Sequence, residues 1–384
     1  MFLKDFPGQQ ALIDYFRKIV DENRVPHALM LVGGEGHGKL SLALGLAASL
    51  QCKDKKSGVV CGVCSSCTKV IQHIHPDIHF AFPVIKKENS KIKREDTTSQ
   101  HFMEAWRSFL NEKPFGNIND WMDHLNASDK SPNINVAECN QIIKNLGLKT
   151  YEGKYKIQII WGGRFLGKEG NRLLKLIEEP TPDTIIILIE DNRNAILNTI
   201  RSRCQIISVP PFDDSQIKNL ISEKSSLSAN DQQELTYLSN GNIRKALHLI
   251  DQSEMNYSED MLNWFRIGYK ADPEEISDFI THVLSKGKQD LRNFLDYGLH
   301  FLREYHLGIM TGNLNTLRLT QKEKDVALKM QKIIDGPKTE ALEKLMSRGI
   351  SYIYRNLSLK ILIMNLTLEI NQILRSNINN LVTS

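Results

Sequence analysis

Cysteine is scarce in this chain and unevenly placed. Of six in 384 residues, four stand at 52, 61, 64 and 67, and only Cys139 and Cys204 lie elsewhere. In a reducing compartment so tight a cluster points to metal rather than to disulfides. Long hydrophobic runs are also missing. No 18 consecutive apolar residues occur, which argues against a membrane-spanning helix. The first residues lack a basic stretch followed by an apolar one, so no secretory leader is read and a cytoplasmic protein with no membrane partner is expected. Nor is there an excess of one charge: 49 Lys and Arg against 45 Asp and Glu leave +4, too little for bulk charge to argue for nucleic acid. Low-complexity tracts and clear internal repeats are absent. What remains is ordinary globular composition, 41% apolar and 24% charged, over a length that suits two or three domains.

Two further absences fall inside a motif. Residues 28–32, Ala-Leu-Met-Leu-Val, read as a buried strand running into Gly33-x4-Gly38-Lys39, followed by an Ala/Leu-rich helix. That spacing lets backbone N–H groups wrap phosphates while a lysine reaches the terminal ones. The next residue should carry the hydroxyl that holds Mg²⁺, and it is Leu40. The second metal-handling position of a P-loop ATPase is an Asp at the end of a buried strand, followed by a water-polarising Glu. The strand at 155–161 suits that place, yet Trp161 and Gly162 stand where the acids belong. Loss at one position would say little; loss at both reads as a coherent loss of catalysis. A Gly-rich strand–helix turn with an incidental lysine is the bland alternative for Lys39. Nucleotide held without Mg²⁺ would be held weakly, so ATP binding is not the favoured reading and Mg²⁺ is not expected.

Cys52-x8-Cys61-x2-Cys64-x2-Cys67 offers four thiolates, the number a tetrahedral Zn²⁺ takes, with Gly62 easing the turn. A closed four-sulfur site leaves no open position for substrate, so a structural zinc is read here. An iron–sulfur cluster or four reduced surface thiols are the alternatives.

Elsewhere the pattern gives an amphipathic helix at 11–20, a short strand within 75–83, a helix at 134–146, a helix at 171–179 and a buried strand at 184–189. Strands alternating with helices imply a mainly parallel sheet covered on both faces. Residues 86–132 change in character, with a basic polar run and then amphipathic pieces carrying Trp106 and Trp121, and read as a partly mobile insertion. After Pro210-Pro211 the chain reads as helix throughout. Leu291, Phe294, Leu295, Leu299, Leu302 and Tyr305 form one stripe, and 357–374 is apolar on nearly all sides, as at the centre of a bundle. Arg201 and Arg203, in Thr-Ile-Arg-Ser-Arg-Cys at 199–204, have two readings of equal weight. They are surface or salt-bridged arginines, or they reach a neighbouring subunit's nucleotide.

These pieces occur in the order and spacing of one family: the chain resembles the AAA+ clamp-loader subunits of bacterial DNA polymerase III, and among them the delta-prime type. The resemblance rests on Arg24-Val25-Pro26-His27-Ala28 before the P-loop, the four cysteines, and His75-Pro76-Asp77. Asn171 through Glu179-Pro180, Ser202-Arg203-Cys204 and Gly241-Asn-Ile-Arg244-Lys-Ala246 complete it. It covers residues 1–255 well and the rest only in helical character. It implies an AAA+ P-loop core at 1–209 with a zinc module at 52–67 and the insertion at 86–132, a helical lid at 210–255, and an all-α collar at 256–384. It further implies a DNA replication role as the non-hydrolysing stator of the clamp loader. Such a stator has gamma/tau and delta-type subunits as partners and meets the sliding clamp and primed DNA through the assembly. On this resemblance Arg203 acts in trans on a neighbour's ATP, Arg244 is sensor 2-like, and Gly33, Gly38 and Lys39 form a degenerate P-loop. No intrinsic ATPase activity is then expected, although the chain would be a component of the nucleotidyltransferase holoenzyme. The alternatives are an active gamma/tau-like motor and, against the near-neutral charge, a zinc-dependent DNA-binding protein.

Overall fold

A computed structural model describes residues 2–86, 92–251, 257–313, 317–331, 333–353 and 357–375. Parts of three expected segments lie outside these: 87–91 of the insertion, 252–255 of the lid, and 256, 314–316, 332, 354–356 and 376–384 of the collar. The chain divides into two compact units, Met1–Lys224 with Ser239–His248, and Ser225–Leu238 with Leu249–Ser384. The segment 210–255 contributes to both.

The first unit is built on five strands: β1 (Ala28–Val32), β2 (Ile78–Ala81), β3 (Lys156–Trp161), β4 (Thr184–Glu190) and β5 (Gln205–Ser208). Their order is β2-β3-β4-β1-β5 and every pairing is parallel. A parallel sheet is covered on both faces, so its strands read as continuous apolar runs rather than alternating ones. All seven residues of β4 are buried, as are all six of β3. The registers align the C-terminal ends: Val32 lies opposite Glu190 and Ser208, and Trp161 opposite Ile189. That edge is where open α/β sheets place ligands.

Helix α1 (Gln10–Asp21) buries Phe16, Ile19 and Val20 of the face that the spacing predicts, but buries Ile13 as well and leaves Ala11 exposed and Leu12 and Tyr15 half-buried. Helix α2 (Lys39–Gln51) is buried at every residue, which its Ala, Leu, Ser and Gly content permits, and Gly45 lets Leu3 close on it. Helix α3 (Ser65–Ile71) carries Cys67 in its first turn and is capped by Cys64. The insertion is not a loose excursion over its described part. It forms α4 (Met103–Glu112) and α5 (Ile118–His124), and Trp106, Phe109 and Trp121 are fully buried. Trp106 stacks on Phe82 at 4.1 Å, meets Trp121 edge-on at 5.3 Å and lies 5.1 Å from Trp161. Burial of three large rings outweighs the polar content from which mobility was read. Helix α6 (Val136–Gly147) is the one expected at 134–146.

The helix expected at 171–179 is shorter. Residues Gly163–Leu173 form 3₁₀ turns interrupted at Gly167, whose φ of 49° and ψ of −140° lie outside any helix, and only Leu174–Glu178 is α-helical.

In the second unit Trp264, Phe279 and Phe294 stack within a core that includes Leu291, Leu295, Leu302 and Tyr305, as the stripe predicts, with Leu299 packed at its margin. The helix Leu359–Arg375 buries Leu362, Ile363, Leu366 and Ile370 there. Its other side is open: Ile361, Met364 and Leu368 are 70%, 48% and 45% exposed, so it is not enclosed on all sides as the sequence suggested. No helix among the described residues is long and apolar enough to cross a membrane.

Candidate functional site

The loop after β1 begins at Gly33 and ends at Gly38, whose φ of 80° starts α2 in a conformation that favours glycine. A Cβ at Gly38 would also meet the Phe6 ring at 2.5 Å. Lys39 does not project into an open phosphate site. Its Nζ donates to the Gly33 and Gly34 carbonyls, both at 2.6 Å, and pairs with Asp191 at 2.8 Å, and the side chain is only 7% exposed. Leu40 is buried, and the Ser41 hydroxyl donates to Pro114 O of the insertion at 2.6 Å. His37 Nδ1 bonds Val209 O at 2.9 Å, and burial lowers the pKa of that imidazole.

Where the second acidic motif would supply carboxylates, Trp161 packs into the aromatic cluster beside Trp106 and Phe109. The acids of this edge come instead from the last residue of β4, Glu190, and the residue after it, Asp191. Glu190 takes the Arg164 N–H at 2.7 Å and an Arg164 Nη1 bond at 3.0 Å, and Asp191 takes Arg164 Nη1 at 3.2 Å as well as Lys39. Two cations and two carboxylates thus neutralise one another. Together with Phe115, Asn117 and Ile118 they leave a cavity of about 40 Å³, room for a water or two and far below the several hundred Å³ of a nucleotide-sized pocket.

Arg244 is brought to the same neighbourhood but faces an acid. Its Nη2 donates to Asp120 Oδ1 at 2.7 Å and its Nε to the other oxygen, with both side chains largely buried. Burial opposes the charge on Asp120, yet Arg244 and the Asn117 N–H hold the carboxyl below its ordinary value. Asn117 caps α5, and its Nδ2 reaches Glu35 of the loop at 3.0 Å. Ile243 N donates to Gly36 O at 3.1 Å, so the loop is held from the Arg244 side too. Glu190, Asp191, Arg164, Asn117 and Asp120 were missed from sequence. For the first pair the signal existed, because the residues just after a central parallel strand stand beside the phosphate loop.

Arg203 lies apart from this group. It is partly exposed, with Nε donating to Glu178 Oε1 at 2.5 Å and Nη1 to Thr199 O at 2.7 Å. Arg201 bonds Asn194 and Asn198.

The four cysteines converge. Their sulfurs all lie within 4.8 Å of one another, with Cys52 to Cys61 at 3.7 Å and Cys61 to Cys67 at 3.9 Å. Zn–S bonds of about 2.3 Å in a tetrahedron place sulfurs about 3.8 Å apart, so the set fits zinc. Backbone N–H groups of Cys61, Cys64 and Cys67 point at the sulfurs of Cys52, Cys61 and Cys64. At Cys64, burial raises the thiol pKa, but the Cys67 and Lys53 backbone donors outweigh it and bring it down to about 6.

Residues 8–213 match the family model described as DNA polymerase III, delta subunit. Among curated relatives, the Bacillus subtilis DNA polymerase III subunit delta' is 24% identical over 205 residues, 53% of this chain and 48% of that protein. The Haemophilus influenzae DNA polymerase III subunit tau/gamma is 23% identical over 301 residues, 75% of this chain and 36% of that protein. A Pseudomonas aeruginosa subunit delta' is 26% identical over 200 residues, 52% of this chain and 47% of that one. The chain spans no more than about half the length of these relatives.

Proposed function

The chain belongs to the DNA polymerase III, delta subunit family, and we propose that within the clamp loader it is the delta-prime-like stator, which does not hydrolyse ATP itself. The single observation that carries this reading is the closure of its nucleotide edge. Lys39 is spent on its own loop and Asp191, Arg244 on Asp120, and Trp161 sits where a metal-binding acid would stand. A motor subunit needs these groups free for phosphate and Mg²⁺.

On this reading the chain supports loading of the sliding clamp onto primed DNA by holding its place among gamma/tau-type and delta-type subunits. Its chemical contribution is Arg203, aimed at a neighbour's ATP. The surface position of Arg203, tethered to a single exposed carboxylate, suits a side chain that changes partner when a neighbour docks. Zinc at Cys52, Cys61, Cys64 and Cys67 is structural, and the helices after Pro210 supply a lid and a collar. The motor reading is favoured by one finding, the longer match to tau/gamma, and is opposed by the pairing of Glu190 and Asp191 with Arg164 and Lys39. In a loader reconstituted with this chain, Arg203→Ala slows ATP hydrolysis by about 10³-fold while leaving this chain folded. Normal turnover by the mutant complex would remove Arg203 from the mechanism.

A further inference from the structure

The second unit carries a cleft of about 700 Å³ of its own. Helix Tyr257–Lys270 lines one side of it, helix Gln321–Met330 and the turn after it line the other, and Leu374 of helix Leu359–Arg375 contributes as well. Its deeper residues belong to the core: Phe265, Met330, Ile334 and Leu374 are buried. Its rim does not, since Tyr269 is 51% and Ile333 58% exposed. Single apolar side chains in water are ordinary, but exposed ones grouped around a cleft that continues the core mark a place of interaction. Aromatic, Met and Arg side chains together are also the composition of interface centres.

The walls are fixed. The last carbonyls of helix Tyr257–Lys270 have no partner within that helix, and helix Leu359–Arg375 supplies one. Asn371 Nδ2 donates to Gly268 O at 2.8 Å and to Tyr269 O at 3.1 Å, and Arg375 Nε donates to Tyr269 O at 3.1 Å. The Arg375 guanidinium also lies 5.6 Å from the centre of the Tyr269 ring, which steadies that ring at the rim. Lys338 Nζ holds Leu374 O at 3.1 Å. A groove held in this way loses little freedom when something enters it. Its charge is one-sided. Arg266 lines one wall and Lys329 the other, and among the described residues neither pairs with an acid. The one acid in the lining, Glu275, is taken by Lys270 at 2.9 Å. An uncompensated cation therefore stands on each side of an apolar floor.

We propose that this cleft is the docking groove for an acidic amphipathic helix of a partner protein. An apolar stripe at i, i+3 or i+4, and i+7 enters between the two walls, and carboxylates on both edges of the stripe meet Arg266 and Lys329. A small amphiphile with one anionic head satisfies one of the two cations, whereas a helix with acids on either side of its stripe satisfies both. Tyr269 and Ile333 lose their exposure to water on docking and supply the affinity. The rim cations choose which helix is accepted. The cleft lies wholly in the helical unit, so its occupant is independent of whether the chain hydrolyses ATP.

The test is fluorescence anisotropy of two labelled synthetic helical peptides titrated with the full chain. Both carry the same Leu stripe, flanked by Glu in one and by Lys in the other. The expected result is saturable binding of the Glu peptide, with the Lys peptide weaker by about tenfold, as two modest rim contacts give, and a gap that narrows as salt is added. Arg266→Glu with Lys329→Glu reverses the preference, and Ile333→Asp weakens both peptides by about tenfold or more. All three residues are exposed, so these variants keep the fold, which thermal melts check. No saturable binding of either peptide, or a preference that the charge reversal leaves untouched, would overturn the proposal. So would self-association of the chain that Ile333→Asp abolishes, which assigns the cleft to a second copy. Binding that requires deletion of residues 376–384 assigns it to the chain's own end and overturns the proposal equally.

Discussion

The Asp120–Arg244 pair gives the account its sharpest energetic test. The two side chains are 11% and 14% exposed, so water screens them little, and removal of one partner strands a buried charge. Such a loss costs about 3–5 kcal/mol. Asp120→Ala also removes the carboxylate that accepts the Asn117 N–H at 2.8 Å at the start of α5, which places it at the upper end. Arg244→Ala leaves Asp120 that local donor and falls at the lower end. The double variant has no stranded charge and is expected to be less destabilised than the sum, with a coupling of about 2–3 kcal/mol. The assay is urea unfolding of the four proteins, read as a change in midpoint at constant slope. The coupling has a pH signature. The Asp120 pKa is depressed below its ordinary 3.8, so its contribution is present above that value and is lost as pH falls through the depressed one. A coupling under about 0.5 kcal/mol at neutral pH would refute the ion pair, and with it the claim that Arg244 is withheld from nucleotide.

Three further outcomes follow from other parts of the chain. The cysteine cluster is expected to bind one zinc, and Co²⁺ in its place to give the visible absorption of a tetrahedral tetrathiolate that Cys61→Ser loses; a chain that shows no such spectrum has no closed site. Glu138 has a pKa raised from 4.5 to about 7, so its contribution is full below 4.5 and falls as pH rises through 7, by about 3 kcal/mol in all. Glu138→Gln should flatten that slope in unfolding midpoints measured across the range; an unchanged slope contradicts the raised pKa. Trp106→Ala should destabilise the first unit by about 3–5 kcal/mol, whereas Trp106→Phe should cost about 1 kcal/mol or less, because it also removes an indole N–H that has no partner. Equal losses from both would mean that the ring stacking is not what holds the insertion.

The parts legible in the sequence were those that depend on local pattern. The runs that became β1, β3 and β4 are continuous and apolar because a parallel sheet is buried on both faces, and the loop from Gly33 to Lys39 has a spacing that only a strand–turn–helix satisfies. The cysteine spacing announced its own convergence. What was not legible depends on contacts between distant segments. Nothing local in Asp120 indicates that it meets Arg244, 124 positions away. The polar run before Trp106 concealed that Trp106, Phe109 and Trp121 fill the space beside Trp161, the residue standing where an acid would have kept that edge open. From sequence alone the blank at Trp161 reads as a loss. The structure makes it also a gain, since the same ring anchors the segment that closes the cavity.

The measurement that bears most directly on the central claim is ATP turnover by the purified chain with Mg²⁺, set against Lys39→Ala. A closed nucleotide edge predicts that the two are indistinguishable and at background. Mg²⁺-dependent hydrolysis by the unaltered chain that Lys39→Ala abolishes would contradict it and assign the chain to the motors.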